Sequence, residues 1–172
     1  MKLIPTAALL LVLAAPALAA SPVKTLPGDI TLAQAQAVVR SAQAKAEAIN
    51  VPMNIAVVDA GGNLKAFARM DDAFLGSIDI AERKARTARY FNMSTRALGK
   101  AAQPGQPLYG IEATNGGLAI FAGGVLLLDK KGTIVGSVGV SGGSVDEDED
   151  VANAGAAALL RCRQAMRPTG RL

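Results

Sequence analysis

Two stretches of this chain have the pattern of a strand, a tight turn and a returning strand, and this repeat restricts the fold more than any other feature. In the first, Met53–Asp59 carries a β-branched run, Gly61-Gly62 supplies a turn, and Asn63–Met70 alternates in polarity. In the second, Val125–Asp129 and Thr133–Val140 flank a short glycine-containing turn. Strands joined as hairpins pair antiparallel, whereas a doubly wound parallel sheet needs a helix between successive strands. We therefore expect an α/β domain of the α+β type, in which helices pack on an antiparallel sheet.

Helical patterns precede, separate and follow the two hairpins. Thr31 and Gln34 have the spacing of a capping box, in which each side chain satisfies the other's free backbone N–H group. Ser77 is expected to cap a second helix. The expected helices run from Thr31 to Asn50, from Ser77 to about Tyr90, over a short stretch after Asn92, and from near Val145 to about Met166. One further short strand is expected at Leu118–Phe121.

The N-terminus has the three adjacent features of a cleavable signal peptide. Lys2 supplies a positive charge, residues 7–15 form an uncharged apolar stretch, and Ala17-Leu18-Ala19 has the small-x-small pattern that signal peptidase accepts. The apolar stretch is too short to span roughly 30 Å of hydrocarbon as a helix. We therefore predict a signal peptide at residues 1–19, an extended lead-in at 20–29 and one domain at 30–172. The mature protein is expected in the periplasm or outside the cell, without membrane insertion after processing.

This chain contains no histidine, and several kinds of site are thereby excluded. Ser-His-Asp and Cys-His nucleophiles, and metal sites built on imidazole, all need that side chain. Cys162 is the single cysteine, so a disulfide within the chain and a cysteine-rich metal site are excluded as well. The acidic run Asp146–Asp150 is mainly typical of a helix start, and we assign no metal ligands. Because aromatic residues make up 3% of the chain and tryptophan is absent, we expect no nucleic-acid partner.

The segment from Gln103 to Gly117 is rich in glycine and proline, and long irregular segments of compact domains are commonly functional. A basic cluster, Arg83, Lys84, Arg86 and Arg89, lies on the preceding helical pattern. It is either a solvated helix face or a source of one or two cations that hold a carboxylate. In the second case we expect ligand-binding residues where this segment meets the helix: Lys84, Arg86, Tyr109, Glu112, Thr114, Asn115 and Gly116. Catalytic residues are not assigned, although Glu112 or Asp79 could act as a base.

Four blocks of residues are similar to the signature segments of the GlcG/HbpS family and occur in the family's order. They are residues 56–64 (AVVDAGGNL), 84–88 (KARTA), 108–117 (LYGIEATNGG) and 139–143 (GVSGG). The resemblance covers about residues 30–160, nearly all of the expected mature chain. It implies a profilin-like domain with a five-stranded antiparallel sheet flanked by helices, assembled as a homo-oligomer from dimer to octamer.

Members of this family are described as haem-binding or haem-degrading extracellular proteins, and related domains occur beside genes of diol, glycolate and aromatic catabolism. The resemblance therefore implies an exported haem-binding protein that assists haem degradation or iron sequestration. Many relatives carry histidine after the Gly-Gly turn, where this chain has Asn63. Haem would instead be held through Thr114, Tyr109 or a methionine, with basic residues pairing its propionates. The alternative is a small organic-acid binding module, or an enzyme of a catabolic pathway, that uses the same pocket.

Overall fold

The computed structural model describes residues 28–161. Within this range the chain forms a four-stranded antiparallel sheet in the order β2-β1-β4-β3. The strands are β1 (Asn54–Asp59), β2 (Leu64–Arg69), β3 (Gly124–Leu128) and β4 (Ile134–Ser141). Both predicted hairpins are confirmed, because β1 pairs with β2 and β3 pairs with β4. The two hairpins join through β1 and β4, which form the centre of the sheet.

Helices cover both faces of this sheet. They are α1 (Leu32–Ala48), α2 (Gly76–Phe91), α3 (Thr95–Ala101) and α4 (Val145–Arg161), with a 3-10 turn at Ile111–Ala113. The predicted capping box of Thr31 and Gln34 starts α1, and Asn50, just beyond its end, is left-handed at φ 57°. α1 and α4 pack together on one face, while α2 packs on the other.

The two faces of the sheet differ in side-chain size. The face under α1 and α4 carries the main core, in which valine and isoleucine side chains of β1 and β4 pack with Leu127. The face under α2 carries small residues such as Ala56 and Gly139. A Cβ atom at Gly139 would lie 2.1 Å from the carbonyl oxygen of Ala81. Glycine is therefore required here, because it lets α2 lie directly against the strand.

The expected strand at Leu118–Phe121 is wrong, and the described residues contain four strands where the family resemblance implied five. Backbone groups of this segment have partners outside the sheet. The Leu118 N–H donates to the Glu112 carbonyl oxygen at 2.9 Å, and the Ala119 N–H donates to Thr87 Oγ1 at 3.1 Å. Since these groups are already satisfied, the segment adds no rung to the ladder, and β3 begins only at Gly124.

The expected cap of α2 is also wrong. Ser77 lies inside the helix and is buried, and the N-cap position is held by Leu75, which makes no side-chain hydrogen bond. The last helix is confirmed from Val145 to Arg161, whereas its expected extension to Met166 lies outside the described residues. Cys162, the predicted signal peptide and the lead-in up to residue 27 lie outside them too. No helix between residues 28 and 161 has both the length and the apolar character needed to cross a bilayer.

Candidate ligand-binding cleft

A cleft of about 260 Å³ lies between the outer edge of α2 and the irregular segment that follows the 3-10 turn. One wall is made by side chains spaced three or four residues apart on α2, which places them along one edge of the helix. The other wall is formed by Asn115 and by the first residues of the segment 116–124, which we call the wall segment. The cleft is lined by Arg83, Arg86, Thr87, Tyr90, Asn115, Gly116, Gly117 and Leu118.

Arg83 holds the wall segment against α2. Its Nη1 group donates to the carbonyl oxygens of Gly116 at 2.5 Å and Gly117 at 3.0 Å. Its Nε group donates to the Asp79 carboxylate at 2.5 Å, one helical turn earlier. Asn115, Gly116 and Gly117 all have positive φ, at 53°, 72° and 103°, so the chain turns tightly at this contact. The Arg83 guanidinium therefore bridges α2 and the wall segment at the cleft.

Arg86 is the cation best placed for a ligand. One Nη2 group donates to Glu82 at 2.9 Å, and the side chain is 42% exposed. A guanidinium has five N–H donors, so most of them remain available to an anion in the cleft. The surface ion pair with Glu82 contributes little to stability, because solvent screens it.

Tyr90 brings a phenol to the same cleft and is 49% exposed. Its ring lies against Gly62 in the β1–β2 turn, where an added Cβ atom would meet the ring at 2.6 Å. Thr87 lies deeper and is buried, and its hydroxyl oxygen accepts from the Ala119 N–H. The cleft thus combines one available guanidinium, one phenol and irregular backbone.

Three of the seven predicted site residues line the cleft, namely Arg86, Asn115 and Gly116. Tyr109 is 66% exposed and Glu112 is half-buried, but neither lines it. The Thr114 hydroxyl donates to the Ile111 carbonyl oxygen at 2.7 Å, which closes the 3-10 turn below the cleft. The predicted segment therefore contributes Asn115 and Gly116 to this cleft, whereas the Thr114 side chain acts within the loop itself.

One carboxylate oxygen of Glu112, Oε2, is buried without a hydrogen-bond partner among the described residues. The backbone carbonyl of the same residue accepts from the Leu118 N–H at 2.9 Å. Glu112 thereby ties the 3-10 turn to the wall segment through its main chain. Its side chain has no contact that would make it a base for a ligand in the cleft.

Lys84 lies on the inner side of α2 and is completely buried, away from the cleft. Its ammonium forms an ion pair with Asp148 on α4 at 2.6 Å and donates to the Val140 carbonyl oxygen at 2.9 Å. Burial lowers the pKa of Lys84, and burial raises the pKa of Asp148, while the hydrogen bond between them opposes both shifts. Direct binding of a ligand by Lys84 is incompatible with this position.

Five lining residues were not among the predicted site residues: Arg83, Thr87, Tyr90, Gly117 and Leu118. A signal for three of them was present in the sequence, because residues 83, 87 and 90 share one helical edge with Arg86. That edge could be recognised only once the buried side of α2 was known.

Two larger depressions lie elsewhere on the molecule. One, of about 310 Å³, lies between the start of α1 and the turn at Asp129–Lys131. The other, of about 430 Å³, is a shallow groove between α1 and β2. Neither is lined by the irregular segment or by α2, and neither combines an available guanidinium with a phenol.

Comparisons with family models, with curated proteins and with solved structures all point to one family. A family model described as haem degrading protein HbpS-like matches residues 30–157. A 15.0 kDa protein from the dhaT-dhaS intergenic region of Citrobacter freundii is 45% identical over 119 residues, which are 69% of this chain and 84% of that protein.

Solved structures agree with this result. The crystal structure of a PduOC:haem complex has a TM-score of 0.72 and 36% identity, with 76% of this chain and 94% of that chain covered. A double mutant of HbpS from Streptomyces reticuli has a TM-score of 0.71 and 36% identity, with 85% and 97% covered. The resemblance drawn from the four sequence blocks is confirmed, and this chain belongs to the haem-degrading HbpS-like family, also called the GlcG/HbpS family.

Proposed function

We propose that this protein is an exported haem-binding protein and that the cleft beside α2 holds the propionate edge of the macrocycle. The observation that carries the proposal is Arg86, a half-exposed guanidinium in a cleft that also contains the Tyr90 phenol. A guanidinium pairs well with carboxylates, and haem presents two carboxylates at one edge. Membership of a family described as haem degrading supports haem as that anion, as does a relative solved as a haem complex.

Because the chain has no histidine, the side chain of the cleft that would hold haem iron is the Tyr90 phenol, an oxygen ligand. Tyrosine is a known type of ligand to haem iron, and Tyr90, which is half-exposed on the cleft wall, would be able to reach a bound ligand. Thr114 is less suitable because its hydroxyl is already engaged with Ile111, and Tyr109 lies outside the cleft. When bound, haem would supply an iron centre for redox chemistry. The chain's own contribution is to hold the propionates, orient the ring and offer the phenol.

The volume of the cleft limits how much of the macrocycle it encloses. Its 260 Å³ is below the range of roughly 300–1,000 Å³ that is typical of pockets enclosing a drug-sized ligand. Most of the ring would therefore project from the protein. A second copy of the chain would cover it, and we propose a homo-oligomer of dimer to octamer size. Phe74 and Leu75 support association, because they are adjacent, apolar, and 70% and 69% exposed.

Export is part of the same proposal and is supported by the signal-peptide pattern of residues 1–19. N-terminal sequencing of protein recovered from the periplasm or the medium tests it. We expect a mature terminus at Ala20 or Ser21, and an intact Met1 on exported protein would contradict it.

Binding of a small organic acid is a second candidate function, as a binding module or as an enzyme of a catabolic pathway. The small cleft favours it, because a short carboxylate would fit inside completely and pair with Arg86. No base is assigned for catalysis, since Asp79 is paired with Arg83 and Glu112 lies outside the cleft. A thermal-shift screen of small carboxylates tests this candidate. A raised melting midpoint without a Soret band on haem addition would favour it over haem.

Titration with ferric haem tests the main proposal, and we expect the parent protein to give a saturable Soret band. Arg86→Ala is expected to weaken binding by about 1.5–3 kcal/mol, the range for hydrogen bonds to charged groups. Tyr90→Phe removes only the phenol oxygen and is expected to shift the Soret maximum. Arg40→Ala, which removes an exposed cation on α1, is the matched control and should bind as the parent does.

Two outcomes would contradict the proposal at different levels. A parent protein that gives no saturable Soret band would exclude haem binding. If the parent binds haem, parent affinity in Arg86→Ala together with an unshifted Soret maximum in Tyr90→Phe would place the haem away from this cleft.

A further inference from the structure

We propose that Lys84 is a positioning residue, whose buried ion pair with Asp148 holds the wall segment in place without touching the ligand. The inference rests on the proposed function in one respect, that the cleft is where the ligand binds. It gives a role to a residue that the sequence pattern placed among the ligand contacts and that the fold buries behind them.

The Lys84 ammonium makes two hydrogen bonds and one cation–π contact inside the protein. It lies 2.6 Å from Asp148 Oδ2 and 2.9 Å from the Val140 carbonyl oxygen. Its third side faces the ring of Phe121, whose centroid is 4.6 Å away. These three partners belong to α4, β4 and the wall segment. One amine on α2 therefore contacts three elements that lie far from α2 in the sequence.

Most of the wall segment precedes β3, and its backbone bonds to other elements are few: the Leu118 N–H donates to the Glu112 carbonyl oxygen, and the Gly123 carbonyl oxygen accepts from the Val140 N–H, both at 2.9 Å. Side-chain contacts hold the remainder. Its anchors come in order along the chain. Arg83 holds Gly116 and Gly117, Thr87 holds Ala119, Lys84 holds Phe121, and Thr95 Oγ1 accepts from the Gly124 N–H at 2.9 Å. Of these four anchors, Lys84 is the one that also reaches α4 and β4. It ties the segment to α4 and β4 at once, whereas the other three side chains tie it to α2 and α3, and the Val140–Gly123 backbone bond ties its end to β4.

The backbone of the wall segment lies directly against the ion pair. Gly123 has φ 116°, and an added Cβ atom would lie 2.8 Å from Lys84 Nζ and 2.9 Å from Asp148 Cβ. Asp148 is itself held on its other oxygen by the Gly143 N–H at 3.0 Å. With no side chain between backbone and pair, a shift of the ammonium is transmitted to the segment and so to the cleft.

Stability alone does not explain why this pair is present. Burial disfavours the charged form of both partners, which lowers the pKa of Lys84 and raises the pKa of Asp148. Replacing a buried ion pair by apolar side chains of similar volume is often neutral or stabilising. Apolar packing is not directional, whereas the hydrogen bonds of an ion pair are, so the pair specifies one arrangement of the groups around it.

The test separates positioning from stability by comparing three variants. Lys84→Met leaves a buried unpaired carboxylate, whereas Lys84→Met combined with Asp148→Leu removes both charges. Val138→Ala, in the core under α1 and α4, is the control that lowers stability without touching the wall segment. The readouts are the thermal midpoint, amide exchange at Ala119 and Gly124 in ligand-free protein, and haem affinity.

We expect the double variant to recover most of the thermal midpoint lost in Lys84→Met. Its Ala119 and Gly124 amides should nevertheless exchange faster and its haem affinity should fall, each by about tenfold, the effect of one lost hydrogen bond. Val138→Ala should lower the midpoint while the exchange of these two amides, relative to global unfolding, and the affinity stay at parent values. A double variant with parent exchange rates and parent affinity would overturn the inference.

The amide-exchange measurement tests the inference even if the protein binds no haem or the double variant does not fold. Should the parent bind no haem, the proposed function fails, and the ligand-free exchange rates still decide whether Lys84 positions the segment. Should the double variant not fold, Asp148→Asn replaces it, because the amide keeps the shape of the side chain and breaks the ion pair, leaving Lys84 buried without its counter-ion. Faster exchange at Ala119 and Gly124 than in Val138→Ala supports the inference, and equal exchange overturns it.

Discussion

Gly117 is the residue at which the backbone and the Arg83 side chain come closest. At φ 103°, an added Cβ atom would lie 2.1 Å from Arg83 Nη1. The guanidinium can approach the two carbonyl oxygens of the cleft wall only because this position has no side chain. A contact between residues 34 positions apart in the chain thus depends on one missing methyl group.

Replacing this glycine is expected to damage the cleft as well as the backbone. Gly117→Ala should destabilise the fold by more than the roughly 1–2 kcal/mol that a positive φ costs an L-residue, because it also displaces Arg83. Haem binding should weaken in parallel. Gly105→Ala is the matched control, since Gly105 has φ 83° with no atom near its added Cβ. Equal losses of unfolding free energy in urea for both variants would show that the Arg83 contact with the wall segment contributes nothing to stability.

The turns of the two hairpins have the same pattern of hydrogen bonds. Asp59 Oδ1 accepts the N–H groups of Gly61 and Asn63, while Asp129 Oδ1 accepts those of Lys131 and Thr133, all within 2.8–2.9 Å. In both turns a glycine with positive φ follows three residues after the aspartate. The Asp-x-x-Gly pattern is therefore a local signal that explains why both hairpins were predictable.

The acid dependence of stability is expected to reflect the second of these turns. Backbone hydrogen bonds, first from Thr133 and then from Lys131, hold the pKa of Asp129 below its ordinary value of 3.8. The folded state therefore releases this proton more readily than the unfolded state. The resulting stabilisation is fully present above the ordinary pKa and is lost as the pH falls through the folded one.

Asp129→Asn keeps an acceptor oxygen and removes the charge. We expect the variant to be less stable than the parent at neutral pH and the difference to shrink as the pH falls below 3.8. Urea unfolding across the acid range measures it, with Asp71→Asn as an exposed control for the change of charge. A difference that is constant across the range would contradict this account.

The start of α4 adds a signal that sequence interpretation missed. The Ser144 N–H donates to Glu147 at 2.8 Å and the Glu147 N–H donates to the Ser144 hydroxyl at 3.4 Å, which together form a capping box. In this region only the acidic run Asp146–Asp150 was interpreted from the sequence as a sign of a helix start. The geometry of the capping box fixes where α4 begins and brings Asp148, in the first turn, to Lys84.

At the scale of the whole molecule, the exposed apolar pair before α2 bears on assembly. The Asn54 side-chain amide donates to the Phe74 carbonyl oxygen at 3.0 Å, so this loop is held to the sheet with Phe74 and Leu75 pointing into solvent. We expect light scattering at micromolar concentration to give an oligomeric mass, and Leu75→Gln to shift it towards the monomer. Leu32→Gln, at the first residue of α1 and 53% exposed, is the matched control. A monomeric parent would contradict the proposed assembly.

Local sequence determined the parts of this protein whose interactions are local. The capping box at Thr31 and the Asp-x-x-Gly turns join residues within a few positions, and the alternation of polarity in β2 has a period of two residues, so these patterns are visible without the fold. The four family blocks likewise identified the family correctly. The glycines around Gly116 exclude regular structure, which made the irregular backbone of this segment predictable.

Tertiary structure decided which side chains face that segment. Lys84 and Arg86 are both basic and nearly adjacent, yet one is buried against Asp148, 64 residues away, and the other lines the cleft. The expected strand at Leu118–Phe121 likewise gave way to bonds with Thr87 and Glu112. A local pattern records periodicity and propensity, whereas these outcomes depend on which face of α2 meets the sheet. That choice follows from small residues such as Gly139, which allow a close approach only after the strands have paired.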